Sequence, residues 1–263
     1  MTEFALYLDD GGHPDDQPFL VVAGYVAPES KWLEFEPQWR NALARFNLGN
    51  TFHMTDFMSQ RRKYTSLKFD QILSTFASII KANTSHLFVC AIDIAAYKRM
   101  NETHALEECH GAPYALAARS LATELNIWKT RNLHPEDHLL IFVEEGTKHY
   151  GDLEQVFKRD KLPMPHRIPK SMPQVQPADI LAWEAFNWLR AGSPRNLGKN
   201  LNRLTRSTRR KEELGGIIYE ADLRRICADT DVYLRSELNA GDTISFHSER
   251  KRKRRRTIKG PSV

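Results

Sequence analysis

The chain has 263 residues, with 38 Lys and Arg against 33 Asp and Glu, 41% hydrophobic residues and 10% aromatic ones. That length buries a substantial core, and the apolar content excludes an intrinsically disordered chain. No run approaches the roughly 18 apolar residues of a membrane span, Met-Thr-Glu-Phe does not open a secretory signal, and Cys90, Cys109 and Cys227 lie too far apart in sequence to suggest a disulfide framework, so a cytoplasmic protein without a membrane partner is expected.

In chain order, the apolar run Phe4–Leu8 predicts a buried strand, with Asp9 to Gln17 as a hairpin loop before a second strand over Phe19–Val26. Trp32, Phe35, Trp39, Leu43 and Phe46 recur at helical spacing, with Ser30 as a reasonable N-cap. A loop-like segment over Phe52–Phe57 precedes a helix carried by Phe69, Ile72, Leu73, Phe76, Ile79 and Ile80. A third strand spans Leu87–Ile94, and Pro113 suits the first turn of a long helix that includes Tyr114, Leu121 and Trp128. Leu139–Val143 reads as a strand ending in Glu144-Glu145-Gly146, Tyr150–Phe157 as a short helix, and Arg167–Lys170 as a weak edge strand among prolines. Pro177 opens a strong helix reaching about Leu189, after which the pattern loosens into short helices. This alternation predicts an α/β fold: a mixed five-stranded sheet flanked by helices, with an inserted helical segment and a helical C-terminal extension. The expected division is a domain over residues 1–190, a basic helical extension over 191–248 and a disordered basic tail over 249–263.

Charge is distributed unevenly. Residues 1–189 hold 19 basic and 24 acidic side chains, residues 190–211 hold eight basic ones and no acid, and residues 250–259 hold another eight. A basic segment on an acidic body suits a polyanionic partner, since Lys and Arg gain affinity for phosphates through counterion release. Nucleic acid is the expected partner, with Arg203, Arg206, Arg209 and Arg210 as candidate phosphate contacts.

Three acidic positions stand out. Asp9 and Asp10 end the first strand, Glu144 and Glu145 end a later one, and Asp179 lies one turn into the Pro177 helix, on the face shared with Ala182, Trp183 and Phe186. A carboxylate on a core-facing helix surface is costly unless something pairs with it, and converging carboxylates repel. A divalent cation resolves both problems, and hard oxygen ligands suit Mg²⁺ or Mn²⁺. Taken singly, each position also has a plain reading: an Asx-turn at Asp9-Asp10, a solvated strand end at Glu144-Glu145, or a dipole-favoured charge at Asp179.

Three segments in order resemble a widespread bacterial and phage family called domain of unknown function 3800, generally regarded as RNase H-like. Tyr7-Leu8-Asp9-Asp10-Gly11-Gly12 resembles its opening Tyr-x-Asp-Glu-Ser-Gly, and Phe52-His53-Met54-Thr55-Asp56 resembles its Phe-His-x-x-Asp. Val175-Gln176-Pro177-Ala178-Asp179-Ile180-Leu181-Ala182 resembles its Gln-x-Ala-Asp helix start. The resemblance covers roughly residues 4–190 and implies an RNase H-like metal-dependent nuclease. Asp9, Glu144 and Asp179 would be its ligands, with Asp10 or Glu145 as further candidates and His53, Asp56 and Gln176 near the substrate. Asp10, Gly11 and Glu144 depart from the family's usual Glu, Ser and Asp. Only one of Glu144 and Glu145 can face such a site from an extended strand.

His53 is open to three roles: general base, substrate contact or supporting hydrogen-bond partner. Asp93, inside an apolar strand, is a candidate supporting group. Glu102, His104, Glu107, Glu108, Cys109 and His110 cluster in sequence, but their spacing fits no standard zinc pattern. The rival functions are a catalytically inactive nucleic-acid-binding protein on the same scaffold and a hydrolase of small phosphate compounds.

Overall fold

Strands form where the chain can be apolar on both sides. β1 (Glu3–Gly11), β2 (Phe19–Pro28) and β3 (His86–Asp93) are buried along most of their lengths, as expected for central strands covered on both faces. β4 (His138–Glu144) instead alternates, with Leu139, Ile141 and Val143 buried and the residues between them more exposed. β5 (His166–Ile168) and β6 (Ile217–Ile218) are short, which suits sheet edges. These elements belong to a computed structural model that describes residues 2–12, 17–147, 150–192, 199–205 and 216–237.

The described strands form one mixed six-stranded sheet in the order β5-β4-β1-β2-β3-β6. β1, β2 and β3 form an antiparallel meander, while β4 adds parallel to β1, β5 parallel to β4 and β6 parallel to β3. The helices are α1 (Glu29–Phe46), α2 (Met54–Ser59), α3 (Ser66–Asn83), α4 (Ile94–Thr103) and α5 (Leu106–His110), then α6 (Pro113–Asn132), α7 (Tyr150–Asp160), α8 (Gln176–Arg190), α9 (Lys199–Thr205) and α10 (Glu220–Asp229). One core joins α1, α3, α8 and α9 to the sheet face bearing Tyr7, Ala23 and Tyr25. A second core joins α4, α6, α7 and α10 to the face bearing Leu6, Leu8 and Val22. Among the described residues no helix is long and apolar enough to cross a membrane.

Several expectations are corrected. The sheet has six strands rather than five, because Ile217 and Ile218 pair with Ala91 and Ile92. The described part of the 191–248 extension therefore completes the body, with α9 against α3 and α8 and α10 against α4. β1 runs on to Gly11, since β2 is long enough to pair Asp9 with Ala23 and Asp10 with Val22, so neither aspartate lies in the loop. α1 begins at Glu29 with Pro28 rather than Ser30 at its cap. The segment over Phe52–Phe57 is not all loop, because α2 starts at Met54. β5 ends at Ile168, before Pro169, which has no amide to give a ladder. Asp93 caps α4 by accepting the Ala96 amide at 2.9 Å. The 249–263 tail lies outside the described residues.

A buried polar cluster ties the C-terminal segment to the helices. Arg119 donates to His110 Nδ1, so Nε2 carries the proton and donates to Thr230 Oγ1 at 2.8 Å. Burial first, and then the Arg119 and Arg159 charges, hold the His110 pKa down at about 3, while Asp160 opposes them. The unfolded chain therefore takes up a proton near pH 6.5 that the native ring refuses. The ring's contribution to stability is complete above that pH and is lost as pH falls toward 3, by up to about 1.4 kcal/mol per pH unit. His110→Gln keeps an acceptor and a donor without the basic ring, and it is expected to flatten urea-unfolding stability between pH 6.5 and 4. An unchanged pH slope would show that the ring is not held neutral. Two other members of the sequence cluster are engaged as well, as Glu108 pairs with Arg235 at 2.7 Å and Glu107 accepts from Asn101 at 3.1 Å.

Candidate active site

The parallel β1–β4 ladder places two acids side by side. Tyr7 pairs with Phe142 and Leu8 with Val143, so the next step along the ladder brings Asp9 beside Glu144. Tyr7 and Phe142 stack with centroids 4.9 Å apart. Side chains alternate between faces, so Asp9 and Glu144 continue that row, on the face that α8 covers over β1 and β2 and leaves open over β4. Asp9 is 8% exposed, and its Oδ1 accepts the Asp10 amide at 2.8 Å.

α8 supplies the third acid. Pro177 sits in its first turn, and the residues from Gln176 to Ala182 are buried, so the helix starts inside the protein. It crosses the end of β1 so closely that a Cβ on Gly11 would lie 2.9 Å from the Ala182 carbonyl oxygen. A serine at position 11 would force helix and strand apart, which gives the glycine there a packing reason. Asp179, also 8% exposed, accepts the Met54 amide through Oδ2 at 2.5 Å. Its Oδ1 lies 3.6 Å from His53 Nε2, and His53 Nδ1 lies 3.2 Å from Asp56 Oδ2. The imidazole thus stands between a buried carboxylate and an exposed one.

Crowded charge dominates this corner. Burial raises the Asp9 pKa well above its ordinary value, and the neighbouring charges of Glu144, Asp179 and Asp10 raise it further. Burial also raises Asp179, with His53, the Met54 amide and Lys170 pulling it partly back. Lys170 Nζ lies 3.7 Å from Glu144 Oε1. Among the described residues no group of three or more His, Cys, Asp and Glu side chains is close enough to clasp a metal ion as the side chains stand. The donor chemistry suits a looser mode: carboxylate oxygens that repel one another match a hard cation held through one or two of them, with water filling the remaining positions.

The other candidates fall elsewhere. Asp10 is the alternate residue of β1, opposite Val22, so its side chain leaves on the other face from Asp9, toward Tyr114, whose buried hydroxyl is raised first by burial and then by the charges of Asp10 and Asp9. Glu145 is exposed in the turn after β4, with its amide given to the Ile168 carbonyl at 2.7 Å. Gln176, a candidate substrate contact, is 1% exposed and is spent inside the protein. Its Oε1 accepts both Trp39 Nε1 at 2.8 Å and the Phe52 amide at 2.9 Å. Arg203 is engaged by Asp70 at 3.7 Å and Asn200 at 3.3 Å, on the side where α9 meets α3 and α8. Arg206, Arg209 and Arg210 lie outside the described residues. Sequence reasoning missed Lys170 and the Met54 amide, because neither carries a local signal: one follows a proline-rich edge strand and the other is backbone. No protein-family model matches the chain, and no curated protein matches it.

Proposed function

We propose that this protein is an RNase H-like, divalent-cation-dependent phosphodiesterase acting on nucleic acid. The observation that carries the reading is the meeting of Asp9, Glu144 and Asp179 on one sheet face, where their charges oppose one another. The fold supports it: an antiparallel meander with two parallel strands added beside β1 puts two strand ends and one helix start at the same corner.

One or two of the Asp9, Glu144 and Asp179 carboxylates at a time, with water in the remaining positions, would hold Mg²⁺ or Mn²⁺, which would supply charge stabilisation to a phosphoryl oxygen and acidify a water. His53, partly exposed and steadied by Asp56, is placed to take up a proton from an attacking water. The Met54 amide fixes the Asp179 carboxylate, and Lys170 offsets the charge at Glu144. The fold alone does not set the chemistry, and the carboxylate corner is what favours hydrolysis.

Labelled RNA, DNA and hybrid substrates incubated with the protein in Mg²⁺ or Mn²⁺ test the reading. Cleavage that stops in EDTA and falls by on the order of a thousandfold in an Asp9→Asn, Asp179→Asn double variant is expected. Equal cleavage by both proteins, or none by the wild type, ends it.

A further inference from the structure

Three rings stand in a row beside the carboxylates. Tyr7 stacks on Phe142, and Phe142 lies 5.5 Å from His166 at a tilt of 37°. The row begins in the core, where Tyr7 is 8% exposed, and ends at the exposed imidazole of His166 on β5. This face of β4 is open, with Leu140 38% exposed and Phe142 only partly covered, whereas Leu139, Ile141 and Val143 on the opposite face are buried. Glu144 follows Phe142 on the same open face, so the ring row runs directly into the acidic corner. Lys170, in the turn after β5, places a cation 3.7 Å from Glu144. Glu36, whose charge reaches Tyr7, is held by Arg40 at 2.7 Å and Gln174 at 3.0 Å.

An aromatic row that ends in solvent at His166, one alternate-residue step along the β4–β5 ladder from Glu144 and its Lys170 partner, suits a single strand of nucleic acid. Aromatic rings hold bases by stacking, and an adjacent Lys holds the linking phosphate. A base within a duplex has both faces covered by its neighbours and cannot extend such a row, whereas an unpaired base can. We infer that β4 and β5 form a single-strand subsite, with a base stacked on His166 at the end of the Tyr7–Phe142 row and its phosphate at Lys170. The inference rests on the phosphodiesterase reading and names its substrate class.

Binding in EDTA tests the subsite without turnover. The probes are a short fluorescein-labelled oligothymidylate and its duplex with oligoadenylate, read by fluorescence anisotropy on the full-length chain. The wild type is expected to bind the single strand more tightly than the duplex. His166→Ala is expected to weaken the single strand about tenfold and leave the duplex unchanged, while His166→Trp restores the affinity. Lys170→Gln is expected to lower the salt dependence of binding by about one counterion. Because His166 is exposed, its replacement leaves the core intact. No single-strand preference, or an equal effect of His166→Ala on both probes, overturns the subsite. A protein that cleaves while His166→Ala changes nothing loses this inference alone. One that binds as expected yet cleaves nothing with either cation loses the phosphodiesterase reading alone.

Discussion

Replacing Asp9 by Asn is expected to raise thermal stability in EDTA at pH 8, and Mn²⁺, the cation proposed for this site, is expected to stabilise the wild type but not the variant. Burial and three neighbouring acids oppose the ionised form of Asp9. A carboxyl whose native pKa is raised contributes most below its unfolded pKa, and that contribution drains away as pH climbs through the native value. The wild type bears more of this cost as pH rises, whereas an amide bears none at any pH. Asn keeps the Oδ1 that accepts the Asp10 amide and gains an NH₂ to offer Glu144 or Asp179. Relief of a poorly compensated buried charge is worth roughly 1–3 kcal/mol, and each kcal/mol moves the melting temperature of a protein this size by about 2–4 °C. Mn²⁺ at a hundredfold excess over its Kd adds about 2.7 kcal/mol to a protein that binds it only when folded. Thermal scans of both proteins with EDTA or Mn²⁺ measure the two effects. A lower melting temperature for Asp9→Asn in EDTA, or an equal Mn²⁺ shift in both proteins, contradicts the charge-crowded site.

The second large effect is expected at Gln176. Its side-chain oxygen is the acceptor for both the Trp39 indole and the Phe52 amide, and its nitrogen reaches the Lys170 carbonyl at 3.5 Å. One buried amide therefore ties α1, the segment leading to His53 and the turn carrying Lys170 to the start of α8. Gln176→Leu leaves two buried donors without an acceptor, at about 1–3 kcal/mol each. A loss of about 2–5 kcal/mol in urea unfolding is expected. Cleavage should fall further than the folded fraction does, because the His53 segment loses its anchor beside Asp179. A stability change under about 1 kcal/mol would show that the clamp is dispensable.

Elements were legible in the sequence wherever burial imposes a period. The apolar run Leu139–Val143 and the helical spacing of Trp32, Phe35 and Trp39 follow from which side chains must leave water, and the structure has β4 and α1 there, although which residues of the run are buried was decided by the sheet. The acids were visible as types in unusual places, since a carboxylate among core-facing residues contradicts its local pattern. Their facing was only partly legible. Alternation along β4 allowed one of Glu144 and Glu145 at the corner, but the β1–β4 register decided that it is Glu144. Asp10 looked equivalent to Asp9 until its pairing with Val22 placed it on the other face.

What the sequence determined alone is the set of strands and helices with strong apolar periods, together with the acids at their ends, because side-chain hydrophobicity and turn chemistry act over a few residues. Tertiary structure alone decided the sixth strand, the burial of Gln176 as a clamp and the approach of Lys170 to Glu144. Those features depend on contacts between segments far apart in the chain, where geometry and charge act across space and leave no local trace.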